Sequence, residues 1–316
     1  MKQPEPVKKT DKVQSTLSLY YYEIVKRQLA HWGSLTLEGR RQAIEEAAIQ
    51  RENFSRAVHS ETWQFGALTG EWSIPHRQNS QGIILYLHGG AFVNGNSVTH
   101  RAIGSHLAEY SGCRVLVLNY HLSPEAVFPQ ALEDVVMSLR HLSQSQAGAK
   151  VALCGDSAGA NLALTTALYL REKNHELPCA LGLLCPWTDL TMSCASHQTN
   201  AHLDPYFPNS DRLHACAKLY AGTKTITDPL ISPLFADLTG LPPILSHIGS
   251  FEAFYDETFA LHQKAIDSGV AAQIETFPAM WHVWQHFVGL MPEATTSIQK
   301  MAQFLKEHLD ASPKVS

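Results

Sequence analysis

The chain reads as an α/β protein, a mostly parallel sheet with helices on both faces. Three observations predict this. Short continuous apolar runs recur from residue 83 onward, and helix-length segments separate most of them. Such runs are too short for helices and lack the alternation of a half-exposed strand, so they suit strands covered on both sides. The chain has 316 residues, 45% apolar and 17% charged. At that length about 75% of the unfolded surface is buried, enough for a large core.

The strand candidates are "IILYL" (83–87), "RVLVLN" (114–119), "VALC" (151–154), "LGLLC" (181–185), "ILSHI" (244–248) and "QIETF" (273–277). Helices are expected over 128–142, 158–172, 252–268 and 294–309. Before the first strand, "WQFGALTGEWSI" suggests a hairpin with its turn at Thr69-Gly70. Residues 15–57 carry apolar positions at spacings of three and four, which predicts two amphipathic helices joined near Gly33. The polar, proline-containing residues 1–14 are expected to be disordered. Residues 187–240 break the rhythm, with a helix expected near 209–220 and no clear strand. An insertion of that length in a compact domain suits a lid better than a slack loop. The resulting division has cap helices in 1–57, a catalytic core in 58–186 and 241–316, and a cap or lid insertion over 187–240. Cap and insertion would cover the strand ends, where α/β proteins place their sites.

Composition excludes several classes of function. The formal charge is −5 and no sustained basic run occurs, so nucleic acid is not an expected partner. The six cysteines form no C-x-x-C pair, which points to buried reduced thiols rather than a metal cluster or disulfide framework. The N-terminus lacks an apolar signal core, and no apolar stretch of about 18 residues occurs. A cytoplasmic protein without a membrane span is expected.

Two motifs carry chemistry. "CGDSAGA" (154–160) puts Ser157 between glycines two residues away on either side, after an apolar strand and before a helix of small residues. A turn that sharp strains the serine, needs small neighbours, and aims the helix's free N–H groups at the space beside it. The bland alternative is a strand-to-helix turn with a capping serine. The second motif, "YLHGGAFVNGN", ends a strand at His88-Gly89-Gly90. Adjacent glycines there let backbone N–H groups face a developing oxyanion.

In combination, "HGGAFVNGN", "NYHLSPEAVFPQALED", "GDSAGANLAL" and "MWHVW" resemble the hormone-sensitive-lipase-like esterases of the α/β-hydrolase fold, over about residues 60–310. Ala91 stands where many relatives have a third glycine. The resemblance implies an oxyanion hole of Gly89, Gly90 and Ala158, and a chain order of Ser, then Asp or Glu, then His. His282 lies after the last strand where the base belongs, whereas His262 and His308 fall inside helices. The stretch "GSFEAFYDE" offers Glu252, Asp256 and Glu257 as the acid; the family's spacing from the glycine selects Glu252, with Asp256 a structural neighbour. His286 completes an H-x-x-x-H pair, but the glutamate of the zinc motif is absent, so neither metal nor organic cofactor is expected. Glu125 and Asp134 are expected to brace sheet and helix. Phe92, Asn94, Asp156, Trp187 and Trp281 are expected around the pocket, with core packing the alternative for the tryptophans, Trp284 included. Tyr20, Tyr21 and Tyr22 would face the entrance or form an apolar seam.

The implied activity is hydrolysis of small or medium carboxylic esters through a Ser-His-Glu triad and an acyl-enzyme. An acyltransferase or amidase would share that machinery. A non-catalytic small-molecule receptor on the same fold is disfavoured by the presence of His282. A homodimer through the sheet edge is left open.

Overall fold

The computed structural model describes residues 15–145, 149–207 and 211–311. The expected disorder of residues 1–14 lies outside the described residues, as does the start of the helix expected from 209.

Eight strands form one sheet: β1 (Val58–Phe65), β2 (Leu68–Pro75), β3 (Ile83–Leu87), β4 (Arg114–Asn119), β5 (Val151–Asp156), β6 (Leu181–Leu184), β7 (Ile244–Gly249) and β8 (Ala272–Phe277). Their order is β1-β2-β4-β3-β5-β6-β7-β8. The β1–β2 and β2–β4 pairs are antiparallel, and every pair from β4 to β8 is parallel. In β3, Ile83, Leu85 and Leu87 enter one apolar core while Ile84 and Tyr86 enter the other. This explains why the strand reads as a continuous apolar run: both faces are covered, so period-two alternation has no polar side.

Helices α1 (Thr16–Trp32) and α2 (Leu37–Arg51) precede the sheet. Between strands come α3 (Arg101–Ser111), α4 (Gln130–Ser145) and α5 (Ala158–Glu172), then α6 (Ser196–Thr199), α7 (Asp211–Ala221) and α8 (Tyr255–Asp267); α9 (Pro292–Asp310) closes the described chain. Helices α3 and α9 share one core with the sheet, while α4, α5 and α8 contribute to the other. No strand forms among the described residues of 187–240. No helix among the described residues is long and apolar enough to cross a membrane.

The hairpin turn differs from expectation. Phe65 pairs with Leu68, so the turn is Gly66-Ala67 and not Thr69-Gly70. Gly66 adopts φ +60°, as a tight turn requires. Gly70 is a strand residue facing β4, where a Cβ would come within 2.7 Å of the Val117 carbonyl oxygen. Close packing, not a turn, demands that glycine. Helix α3 had no predicted bounds; Gly104 inside it weakens the pattern, yet a Cβ there would meet Val117 Cγ2 at 2.6 Å.

Candidate active site

Strand β5 lies centrally between β3 and β6 and ends directly at Ser157. Ser157 has φ 53° and ψ −118°, a strained backbone for a residue with a Cβ. The flanking glycines follow from contact geometry. A Cβ on Gly155 would lie 2.6 Å from the backbone of Gly159, and one on Gly159 would lie 1.9 Å from the Leu87 carbonyl oxygen. Strand and helix approach so closely that neither position has room for a methyl group.

Ser157 Oγ lies 2.9 Å from His282 Nε2, and His282 Nδ1 lies 2.9 Å from Glu252 Oε2. The other carboxylate oxygen accepts the N–H of Gly249 at 2.7 Å. The three residues come from the ends of β5, β7 and β8, brought together by parallel pairing. All three are buried. Burial pushes the Glu252 carboxyl up and pulls the His282 imidazole down. Both shifts disfavour a charged Glu252–imidazolium pair at rest, and the 2.9 Å contacts place one imidazole nitrogen against the carboxylate and the other against the serine. Rings from the 187–240 stretch and the start of α8 enclose the imidazole, with centroids at 4.8 Å for Phe207, 4.8 Å for Phe254 and 5.7 Å for Tyr206. Val283, directly after His282, sits at φ 47°, a further strained position for a β-branched residue. Asp256 faces elsewhere, accepting the N–H of Ser196 at 2.8 Å.

The glycine loop after β3 is pinned by Asp156. Its Oδ1 accepts Tyr86 Oη–H at 2.7 Å and the Gly89 N–H at 2.9 Å, and His100 Nε2 lies 3.3 Å away. The Gly89 amide, expected to face an oxyanion, is thus already engaged. The next two amides, of Gly90 and Ala91, have no hydrogen-bond partner among the described residues. Gly90 adopts φ +116° and Ala91 φ 55°, conformations that turn this loop back on itself. Ala158 opens α5, where first-turn N–H groups lack intrahelical partners. His88 is a packing residue: its ring stacks on Tyr120 at 4.2 Å, and burial holds it neutral with a pKa near 3.

A cavity of about 140 Å³ runs past Ser157 and His282. Of the residues expected around the pocket, Asn94 and Asp156 line the cavity and Phe92, Trp187 and Trp281 do not. Phe92 stacks on Tyr220 at 3.6 Å, Trp187 stacks parallel to Phe254 at 6.0 Å, and Trp281 meets Tyr22 edge-on at 5.6 Å. These large rings bury best inside the core, which corrects the pocket assignment. Trp284 is likewise core. Tyr21 packs on Phe287 at 4.6 Å, while Tyr20 is exposed. Tyr21 and Tyr22 thus join α1 to the body. Arg51 of α2, Tyr206, Phe207 and Arg212, not expected from the sequence, also line the cavity. The aromatic pair inside an otherwise polar "HLDPYFPN" was the available signal.

Glu125 braces α2 rather than the sheet, through a two-pronged pair with Arg41 at 2.8 and 2.9 Å. Asp134 accepts the His121 N–H at 2.8 Å, joining the end of β4 to α4. All six cysteines are free. Among the described residues, two donor clusters have ligand-type atoms within 4.8 Å of one another: Cys185, Glu252 and His282, and His100, Asp156 and His286. The first contains His282 and Glu252, already bonded to each other, with the Cys185 thiol pushed well up by burial and so a poor ligand. In the second, Asp156 is already committed to the glycine loop.

A serine on a strand-to-helix elbow, a His–carboxyl pair behind it and unpartnered amides in front have the geometry that a serine hydrolase of the α/β type requires. Residues 84–286 match the family model of the α/β hydrolase fold, and the chain belongs to that family, among the esterases of the hormone-sensitive-lipase type. It is 38% identical to an acetyl-hydrolase of Streptomyces hygroscopicus over 242 residues, covering 76% of this chain and 80% of that one. An esterase of Acinetobacter venetianus is 36% identical over 227 residues, 70% and 74% of the two chains. Among solved structures, a mutant of the esterase E40 superposes with TM-score 0.89 at 35% identity, covering 94% of this chain and all of that one. An esterase from the bacterial hormone-sensitive lipase family does so with TM-score 0.87 at 34% identity and the same coverage.

Proposed function

We propose that the protein hydrolyses short-chain carboxylic esters through an acyl-enzyme on Ser157. The observation that carries this reading is the 2.9 Å and 2.9 Å chain from Ser157 Oγ through His282 to Glu252 at the wall of the cavity. His282 Nε2 takes the serine proton as Oγ attacks the ester carbonyl, and Glu252 holds the imidazolium that forms. The tetrahedral oxyanion is met by the amides of Gly90, Ala91 and Ala158, since Gly89 is occupied by Asp156. His282 then returns the proton to the leaving alcohol. A water molecule, deprotonated by His282, attacks the acyl-enzyme and releases the acid.

The substrate size follows from the cavity. A volume of about 140 Å³ is close to that of an engineered apolar cavity of about 150 Å³ that holds benzene. That suits an acetyl to butyryl group and not a fatty chain. Relatives named acetyl-hydrolase and, from Salmonella, acetyl esterase support the short end of that range. Residues 15–51 and part of 187–240 act as a cap, since Arg51, Tyr206 and Phe207 line the same cavity as the serine.

The test is hydrolysis of p-nitrophenyl esters from acetate to palmitate by wild type and Ser157→Ala. Cleavage confined to short esters and abolished in the variant is the expected result. Equal cleavage by the variant, or a preference for palmitate, would overturn the proposal.

A further inference from the structure

The cavity beside Ser157 has a charge that neither the overall composition nor the proposed ester chemistry requires. The chain as a whole carries −5, yet among the described residues the cavity is lined by two arginines, Arg51 and Arg212, against a single carboxylate, Asp156. That carboxylate is already taken up by Tyr86, Gly89 and His100. His100 and His286 share the wall, and burial holds His286 neutral. Neither Arg51 nor Arg212 forms an ion pair with a carboxylate among the described residues.

Arg51 is the more telling of the two. It is the last residue of α2, half-buried, with its guanidinium 5.2 Å from the centre of the Phe287 ring. Burial pulls its pKa below the ordinary value, so the environment works against its charge. A ring face and the negative end of a helix offset part of that cost. Neither supplies the two acceptor oxygens that a planar guanidinium matches. The residue thus presents unused donors to the space in which the proposed reaction takes place. Arg212 is exposed, at the start of α7, where an unpaired cation raises the local concentration of anions.

Building on the ester-hydrolase reading, we infer that the substrate is an anionic ester whose carboxylate, or a similar oxyanion, docks on Arg51, with Arg212 drawing it in. The cavity admits a four-carbon acyl chain bearing a terminal carboxylate, or an acetyl ester of a small hydroxy acid.

Two matched substrate pairs test this. Monoethyl succinate against ethyl levulinate differs only in carboxylate versus methyl ketone on the acyl side. Acetoxyacetate against acetoxyacetone does the same on the alcohol side. For each pair, the ratio of kcat/KM for anionic over neutral ester is measured in wild type, Arg51→Gln and Arg51→Lys. The ratio cancels intrinsic reactivity when compared between proteins. In one pair, Arg51→Gln is expected to lower the ratio about tenfold or more, with Arg51→Lys in between. Arg212→Gln is expected to lower it less, with the loss vanishing at high salt. The pair that responds identifies which side carries the anion. Neutral esters cleaved with both ratios unchanged in Arg51→Gln would overturn this inference while leaving the hydrolase reading intact. No cleavage of any ester by wild type would overturn both.

Discussion

Asp204 Oδ2 accepts the backbone N–H of Ala253, the residue after Glu252, at 3.2 Å. The same carboxyl accepts the N–H of Tyr206 at 3.1 Å, and the His282 backbone N–H beside it helps hold its pKa down. One buried side chain therefore ties the 187–240 insertion to the loop bearing the proposed acid and to the loop bearing the proposed base. Burial raises its pKa to about 7; the site keeps a costly carboxyl because two N–H groups bond to it and the His282 backbone lies beside it.

Asp204→Ala leaves those donors without an acceptor, at about 1–3 kcal/mol for each buried unsatisfied group. Expected are a lower melting temperature and a kcat at least tenfold below wild type, with KM changed less, because alignment of His282 with Ser157 suffers first. Unchanged kcat in a folded variant would show that Asp204 does not position the pair.

The elbow allows a second prediction. Gly159→Ala would place a Cβ 1.9 Å from the Leu87 carbonyl oxygen, forcing α5 away from β3. Soluble yield and activity should both collapse. Ala158→Gly adds no atom and should stay folded, losing only about 1 kcal/mol of helix propensity. Circular dichroism melts of the two variants separate these outcomes.

The Asp156–Gly89 bond predicts how the glycine loop fails. Asp156→Ala removes the acceptor for Gly89 N–H and Tyr86 Oη–H together, and the amides of Gly90 and Ala91 lose their aim. A fall in kcat of about 10²–10³, the effect of losing an oxyanion donor, is expected. Tyr86→Phe keeps the Gly89 anchor and should cost far less. Steady-state kinetics on p-nitrophenyl acetate checks both.

The pH dependence follows from the aromatic box around His282. Only the neutral imidazole accepts the serine proton, and burial pulls its pKa below 6.5. Activity is therefore retained as pH falls through 6.5 and lost only when the ring protonates further down. The acid limb of kcat/KM should have its midpoint below 6.5. Phe207→Ala, which admits water to the ring, should move it upward. A wild-type midpoint at or above 6.5 would contradict this.

What the sequence disclosed follows from how each feature is determined. The parallel strands were legible because burial on both faces leaves an unbroken apolar run. Ser157 and its glycines were legible because a close backbone approach restricts residue type locally. His282 was legible from its place after the last strand. The hairpin turn was not, since Gly66 and Gly70 look alike in sequence and differ only in whether a neighbouring strand or an open turn requires them. Nor was the engagement of the Gly89 amide, which depends on Asp156, 67 residues away. The pocket wall was least legible of all. Its residues come from α1, α2 and the insertion, so Arg51 and Phe207 meet the site only through tertiary packing, while the expected Phe92, Trp187 and Trp281 turn into the core.

Covalent chemistry at Ser157 is tested most directly by trapping the acyl-enzyme. Wild type mixed with p-nitrophenyl acetate is quenched in acid within the first turnover and analysed by intact-mass and peptide mass spectrometry. The expected result is one acetyl group on the peptide that contains Ser157, absent in Ser157→Ala. Rapid release of p-nitrophenol with no acetyl on Ser157, or an acetyl on another residue, would contradict it.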